Sequence, residues 1–450
     1  MNRMQRVLLV NPHETEQLGF SNPPLGLLYI AGTLLKHGID VRIVDGCREG
    51  RDSIRKAIEA FHPEMVGITC LTPGRKKALD VALMAKEFDS KTYVVMGGAH
   101  ATIMHKQLLA NYPSIDCIVI GEGEQTCLEL AQGINPNEIS GIAYRDGSGK
   151  IITNPPRKYV EDLDVLPFPA WHLIDLHKYP ARNDGHLKVV NGVRLDREPR
   201  ISVIFSRGCK GRCTFCSTWW IWRGWRRRSP KNMVDEIELL YEKHGIRHFC
   251  FADDAMTVDK KAAIELCDEI IHRNLKIAFH CTTRSDCVDE HLLGRLKSAG
   301  CYCITYGIET ASPMLLDKMN KENDIESATR AIEQTKKAGI LATALLIVGS
   351  VGETDETVGE TIAFIKNTRP NGIGIAGSLW ILPGTKLYQD CRRVGFIDDD
   401  FWLSDEPYKV YTLEHDFKRL RNYARRIMWH GIGPRKLAIQ KLKNILNLIS

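Results

Sequence analysis

The chain has 450 residues, 44% hydrophobic and 26% charged, with a net charge of +6. This composition excludes the disordered and collagen-like classes, and so small a charge for the length does not by itself call for nucleic acid. The length suits two ordinary domains, or one large barrel with a smaller unit. The opening MNRMQRVLLVNP enters strand-like sequence with no signal-peptide pattern, and no run reaches the roughly 18 apolar residues of a spanning helix. The 14 cysteines are therefore expected as reduced thiols or metal ligands in a cytoplasmic protein.

In residues 1–133, β-rich runs at Arg6–Val10, Val41–Val44, Met65–Thr69, Tyr93–Met96 and Cys117–Ile120 alternate with amphipathic stretches. Those stretches lie around Leu27–His37, Ile54–Phe61, Ala78–Phe88 and Lys106–Asn111. The alternation predicts an α/β fold with a doubly wound parallel sheet, whose ligands lie beyond the strand carboxyl ends. Asn11, Asp45, Thr69–Pro73, Gly97–Thr102 and Gly121–Glu124 gather at those ends. A glycine at any one of them can simply turn a corner, but five loops facing one way suggest a large cofactor.

Periodicity fades over 134–195, where Pro155, Pro156, Pro167, Pro169 and Pro180 mark a linker with a small hairpin, Gly141–Tyr144 against Lys150–Thr153. A second series fills 196–390, with strands expected at Ile201–Phe205, His248–Phe251, Ile277–Phe279, Cys303–Tyr306, Thr343–Val348 and Ile373–Gly377. Helical patterns follow the first five of these, which predicts a partial (β/α)6 TIM barrel. Residues 391–450 form a basic, largely helical C-terminal region, with no Asp or Glu from Lys418 onward.

After the first barrel strand the chain reads Ser206-Arg-Gly-Cys209-Lys-Gly-Arg-Cys213-Thr-Phe-Cys216. Three cysteines on one tight loop can converge on an iron–sulfur cluster and leave one iron open for a chelating ligand. Structural zinc normally takes four closed ligands, and no matching Cys or His pair stands nearby. Arg207, Lys210 and Arg212 are expected to offset the cluster's charge and lower the thiol pKa values.

This segment resembles the signature of the radical SAM superfamily over about residues 196–385. The resemblance implies a [4Fe–4S] cluster on Cys209, Cys213 and Cys216 that cleaves S-adenosylmethionine (SAM) to methionine and a 5′-deoxyadenosyl radical. It further implies that Phe215, Asp253, Asp254, Arg284 and Glu309 contact SAM, although strand-end Asp and Glu also cap helices. Gly349-Ser-Val-Gly-Glu353 departs from relatives, with Val351 where they usually have proline.

Asn22-Pro-Pro-Leu-Gly26, Gly97-Gly-Ala-His100-Ala-Thr102 and Gly121-Glu-Gly-Glu124 resemble the cobalamin-binding domain that precedes many radical SAM barrels. This implies cobalamin contacts from Pro24, Gly26, Gly97, Gly98, His100, Thr102, Gly121, Glu122, Gly123 and Glu124. Leu71, Thr72 and Pro73 would face the lower side of the ring, with Leu71 offering no ligand. The Asp-x-His-x-x-Gly motif of cobalamin mutases is absent, its place reading Asn11-Pro-His13-Glu-Thr-Glu16, which argues against a His-ligated cobalt. A degenerate domain that only docks on the barrel is the bland alternative.

Four tryptophans within residues 219–225 either wall the cluster and a greasy substrate pocket or pack the two domains together. Cys250, Cys281, Cys301 and Cys303 read as core residues of the barrel strands. The basic tail suits either an anionic inner-membrane surface or a solvated face of the barrel.

The resemblance implies a cobalamin-dependent enzyme that methylates an unactivated carbon through the deoxyadenosyl radical and methylcobalamin. A ring-forming or oxidative reaction, as in the anaerobic magnesium-protoporphyrin cyclase group, is the alternative. A methylthiotransferase would need an N-terminal cysteine set, and Cys47, Cys70, Cys117 and Cys127 are scattered. A non-catalytic cobalamin or redox sensor would gain little from an open-site cluster. The expected partners are a small-molecule substrate, apolar or amphipathic, and an external one-electron reductant of flavodoxin or ferredoxin type, without nucleic acid.

Overall fold

The computed structural model describes residues 3–12, 22–181, 187–375 and 378–446, with side chains as far as Gly431. The first sheet contains β1 (Arg6–Asn11), β2 (Asp40–Asp45), β3 (Met65–Thr69), β4 (Tyr93–Gly97), β5 (Cys117–Val119), β6 (Ile142–Arg145) and β7 (Ile151–Thr153). Their order is β2-β1-β3-β4-β5-β6-β7, parallel through β5. Side chains alternate along β1, so Val7 and Leu9 pack against Leu27, Leu28 and Ala31 of helix Leu25–Lys36. Leu8 and Val10 meet Ile54, Ile58 and Ala78 on the opposite face. Both faces are thus apolar and covered, as a doubly wound sheet requires. The order reverses direction at β1, which opens the crevice between the ends of β1 and β3 where ligands settle.

The hairpin expected within a linker forms as β6 and β7, but it continues this sheet, β6 pairing antiparallel with β5. It covers what would be a bare edge of β5. The Arg145 guanidinium fixes it by donating to the carbonyl oxygens of Ile115 at 2.6 Å and Tyr112 at 2.7 Å.

A short ladder of β8 (Val189–Val190) and β9 (Val193–Arg194) precedes the barrel. The barrel strands are β10 (Arg200–Val203), β13 (His248–Phe251), β14 (Ala278–Thr283), β15 (Cys301–Glu309), β16 (Leu341–Leu346) and β17 (Gly372–Ile375). All six are parallel and sequential. The predicted sixth strand reached Gly377, which lies outside the described residues. Between β10 and β13 a hairpin of β11 (Ser206–Gly208) and β12 (Trp225–Arg227) carries the cysteine loop. The helices after the first five strands each open on an oxygen cap, from Ser229, Asp259, Asp289, Asp324 and Thr354, which satisfies a backbone donor of the first turn.

On β16 the outward Ala342, Ala344 and Leu346 are buried beneath helices, whereas the inward Leu345 remains 38% exposed. The side of β16 that carries Leu345 is thus less covered than the side beneath the helices. Cys281, Cys301 and Cys303 are buried in the strands, while Cys250 is half-buried beside His280 at 3.3 Å.

The C-terminal region divides. Residues 399–407 return to the first domain, where Trp402 is buried against the His100 ring. The helix Phe417–Leu446 buries Leu420, Tyr423 and Ile427 within the barrel's core, and Arg419 and Arg426 pair with Asp355. Among the described residues no helix is long and apolar enough to cross a membrane.

Candidate functional site

Strand β11 delivers the chain into the cysteine loop. Gly208, at φ +88°, lies so close to the opposite arm that a Cβ there would sit 2.0 Å from the Gly224 carbonyl oxygen. The loop is tied from below by Thr214 N donating to Met319 O at 2.9 Å and Asn320 Nδ2 donating to Arg212 O at 3.0 Å. A Cβ added at Gly211 would stand 3.7 Å from Cys209 Sγ and 3.8 Å from Cys213 Sγ, so backbone without side chain separates those thiols. Among the described residues no three His, Cys, Asp or Glu side chains close on a single ion position, these cysteines included. A cluster makes a different demand: each thiolate binds its own iron, so the sulfurs surround a volume. The all-thiol donor set is that of iron–sulfur ligation, and the loop fits it.

The cations that flank the cysteines in sequence have partners of their own. Arg207 points to the first domain, Lys210 pairs with Asp286 at 3.5 Å, and Arg212 lies 4.1 Å above the Trp219 ring. Burial dominates instead, pushing Cys213 up to about 11 and raising Cys216. Such thiols give up their protons when a metal takes the sulfur.

Four of the five residues expected to contact SAM surround this loop, with different duties. Asp253 is buried and accepts from the backbone N–H of Phe205 and Ser206 and from the Ser206 hydroxyl, anchoring β11. Burial raises its carboxyl to about 7 against those hydrogen bonds. Asp254 opens onto the adjoining cavity and accepts from Thr218 Oγ1 at 3.1 Å, while the surrounding protein still pushes its carboxyl upward. Arg284 is clamped by Asp286, through Nε at 2.9 Å and Nη2 at 3.1 Å, and its Nη1 reaches over Gly211. Glu309 ends β15 at φ +66° and accepts from Lys321 Nζ at 2.9 Å. Phe215 instead turns into the second core cluster with Met319 and Leu387.

Lys321, absent from the sequence reading, is buried beside Glu309 and Cys213. Burial opposes its charge, yet those two groups hold its pKa above the usual lysine value. Its position in an irregular segment after the helix Pro313–Lys318 carries no pattern that would have found it.

A cavity of about 610 Å³ runs from the carboxyl ends of β1, β3 and β4 to Asp254. Of the residues expected at cobalamin, it is lined by Pro24, Gly26, Leu71, Gly97, Gly98, Thr102, Gly121, Glu122, Gly123 and Glu124. Nothing lies within 4 Å of a Cβ placed on Gly26, and Leu71 is 44% exposed to this space. A bare backbone floor beside an apolar side chain fits a broad, flat ring. Thr72, Pro73 and His100 do not line it. The His100 ring turns away, its Nδ1 3.2 Å from Thr72 Oγ1, and burial lowers its pKa to about 3. Of the Asn11–Glu16 segment, residues 13–16 lie outside the described residues.

The tryptophan run touches both the cavity and the segment between the two domains. Ile221 and Trp222 line the cavity, while Tyr159 OH donates to Ile221 O at 2.5 Å and ties the run to the inter-domain segment. Across the same boundary Arg207 donates to Glu122 and Glu124 of the first domain, each at 2.7 Å.

The profile described as Radical SAM superfamily matches residues 203–365, and that described as B12 binding domain matches residues 15–131. The chain is 35% identical over 382 residues to the anaerobic magnesium-protoporphyrin IX monomethyl ester cyclase of Rubrivivax gelatinosus, covering 81% of this chain and 66% of that one. It thus spans just under two thirds of the length of that relative. It is 34% identical to an uncharacterized methyltransferase of Pyrococcus horikoshii, covering 81% and 78% of the two chains. Among solved structures, the cobalamin-dependent S-adenosylmethionine radical enzyme OxsB, with aqua-cobalamin and S-adenosylmethionine bound, shares the fold. The TM-score is 0.75 at 18% identity, over 95% of this chain and 66% of OxsB.

Proposed function

The chain belongs to the radical SAM superfamily, in the group that also carries a B12-binding domain, and from that premise we propose that it transfers a methyl group to an unactivated carbon of a small molecule. It is an enzyme, and its cofactors are a [4Fe–4S] cluster, SAM and cobalamin. When bound, the cluster supplies the electron that cleaves SAM, and the corrin supplies a transferable methyl group.

The observation that carries this reading is the single cavity that joins the strand ends of the first domain to Asp254 beside the cysteine loop. In the proposed arrangement Cys209, Cys213 and Cys216 hold the cluster. Asp254 receives the ammonium of SAM, a positive charge that opposes the upward push of burial on its carboxyl. Arg284 and the Glu309–Lys321 pair fix the surroundings of the loop. Gly26, Gly97, Gly98 and Gly121 let the corrin approach the backbone, Leu71 faces it without ligating, and Ile221 and Trp222 exclude water. Holding two reacting centres on one substrate carbon is what a shared, largely apolar cavity contributes. The electron comes from a flavodoxin- or ferredoxin-type donor.

The test is anaerobic turnover of the reconstituted enzyme with methyl-deuterated SAM against panels of lipids and tetrapyrroles. Transfer of the labelled methyl supports the reading, and a new ring without label would replace it with the ring-forming alternative suggested by the cyclase relative. The tail's outer face carries Phe417, 56% exposed, and Trp429, 51% exposed, beside Arg421 and Arg425. We propose that this face touches anionic lipid at the inner membrane. Sedimentation with phosphatidylglycerol vesicles that Arg421→Glu/Arg425→Glu leaves unchanged would refute it.

A further inference from the structure

Residue Arg207 stands two positions before Cys209 and reaches out of the barrel. Its Nη1 meets Glu122 Oε1 and its Nη2 meets Glu124 Oε1, both at 2.7 Å, and all three side chains are buried. Two carboxylates on two prongs of one planar group fix it in position and in angle, which a single ion pair does not. Directly opposite on β12, Arg226 places its Nη1 3.0 Å from the same Glu122 oxygen. Val160 N completes the set, donating to Glu122 Oε2 at 2.8 Å. Two guanidinium and two carboxylate charges balance, so the buried group leaves no net charge.

The ends of this network are the two cofactor sites. Glu122 and Glu124 belong to the loop after β5 that lines the cavity. On the barrel side, Asp253 holds Ser206, and the close contact of Gly208 with Gly224 stiffens the hairpin that continues into Cys209. Slack is therefore small between the cavity loop and the first cysteine. Other contacts already keep the domains together: Tyr179 OH donates to Asp45 at 2.6 Å, and Trp171 Nε1 donates to Glu236 at 3.1 Å. Docking alone does not require the clamp.

We propose that the Arg207–Glu122–Glu124 clamp, braced by Arg226, sets the separation and angle between the iron–sulfur cluster and the cobalamin. Arg207 is on this view a positioning residue, and Glu122 and Glu124 act by holding it. The inference rests on the cofactor assignment above.

The spacing can be read without substrate. In full-length holoenzyme reduced so that both the cluster and cob(II)alamin are paramagnetic, their dipolar interaction broadens the cobalt EPR signal and hastens its relaxation. The wild type should show a single, well-defined coupling. Arg207→Lys keeps the charge but loses the fork, and its coupling should spread over a range. The combined variant R207M/R226M/E122Q/E124Q removes two charges of each sign, so no ion of the group is left unpaired, and in the molecules that hold both iron and cobalamin it should lose the defined coupling. Unchanged coupling in that variant, or none in a doubly loaded wild type, overturns the clamp. Loss of cobalamin from folded Arg207→Lys would also overturn it, because Arg207 would then be a ligand contact. A wild type that holds no cobalamin refutes the cofactor assignment itself, a distinguishable failure.

Discussion

Substituting Gly208 by alanine tests whether the hairpin shapes the cysteine loop. The added Cβ would stand 2.0 Å from Gly224 O, 2.9 Å from Trp222 Cβ and 3.1 Å from Gly224 C. Two of those atoms are backbone, so no side chain can swing aside. The φ of +88° adds a penalty of about 1–2 kcal/mol for an L-residue. Relieving the contact means moving the strands apart by more than about 1 Å, which breaks the pairing of Gly208 with Trp225 and costs roughly another 2–3 kcal/mol in lost hydrogen bonds and packing. The total, on the order of 3–5 kcal/mol, falls on the segment that leads into Cys209. Gly208→Ala should therefore lose most of its iron and sulfide after anaerobic reconstitution, with a marked fall in the thermal midpoint. The control is Gly294→Ala, where nothing lies within 4 Å of the new Cβ, and it should behave as wild type. Full iron content and an unchanged midpoint in Gly208→Ala would show that the loop does not depend on this close approach.

Replacing Cys209, Cys213 and Cys216 together with alanine should abolish the cluster's iron and its reduced-state EPR signal, and retained iron would remove these residues as ligands. Arg75 donates to five carbonyl oxygens, those of Thr72, Trp402, Ser404, Glu406 and Pro407, so Arg75→Ala should destabilise by about 3–5 kcal/mol, with Arg75→Lys intermediate in thermal unfolding. Equal melting of Arg75→Ala and wild type would contradict that cage. Burial raises Glu353 from 4.5 to about 7, against donation from Gly349 N. The folded state therefore binds the proton more tightly than the unfolded one. The resulting stabilisation, of order 3 kcal/mol, is full below about pH 4.5 and lost as pH rises through about 7. Glu353→Gln should flatten the fall in thermal midpoint between pH 5 and 8, and parallel slopes would contradict the assignment.

Short-range pattern made much of this protein legible. The alternation of Val7 and Leu9 with Leu8 and Val10, bounded by amphipathic stretches, specifies a two-faced parallel strand without knowledge of its neighbours. Cys209, Cys213 and Cys216 share one loop, so their proximity follows from chain connectivity alone. The loops after parallel strands all face one end of a sheet, and most residues expected at the cavity accordingly line it.

Docking and long-range packing decided the rest. Nothing near Arg207 in sequence distinguishes a cation for the cluster from a fork aimed at Glu122 and Glu124, because those partners lie 85 and 83 residues away. His100 and Leu71 both sit on strand-end loops, yet Leu71 faces the cavity while His100 is packed against Trp402. Lys321 meets Glu309 only because the chain doubles back after the helix Pro313–Lys318. The hairpin β6–β7 reads as linker until β5 offers it an edge. Period and spacing along the chain determine which elements form and where ligands gather. Which buried charges meet across the domain boundary depends on how two folded surfaces fit, and that fit is fixed only when the desolvation of each charge is offset by a partner from the other domain.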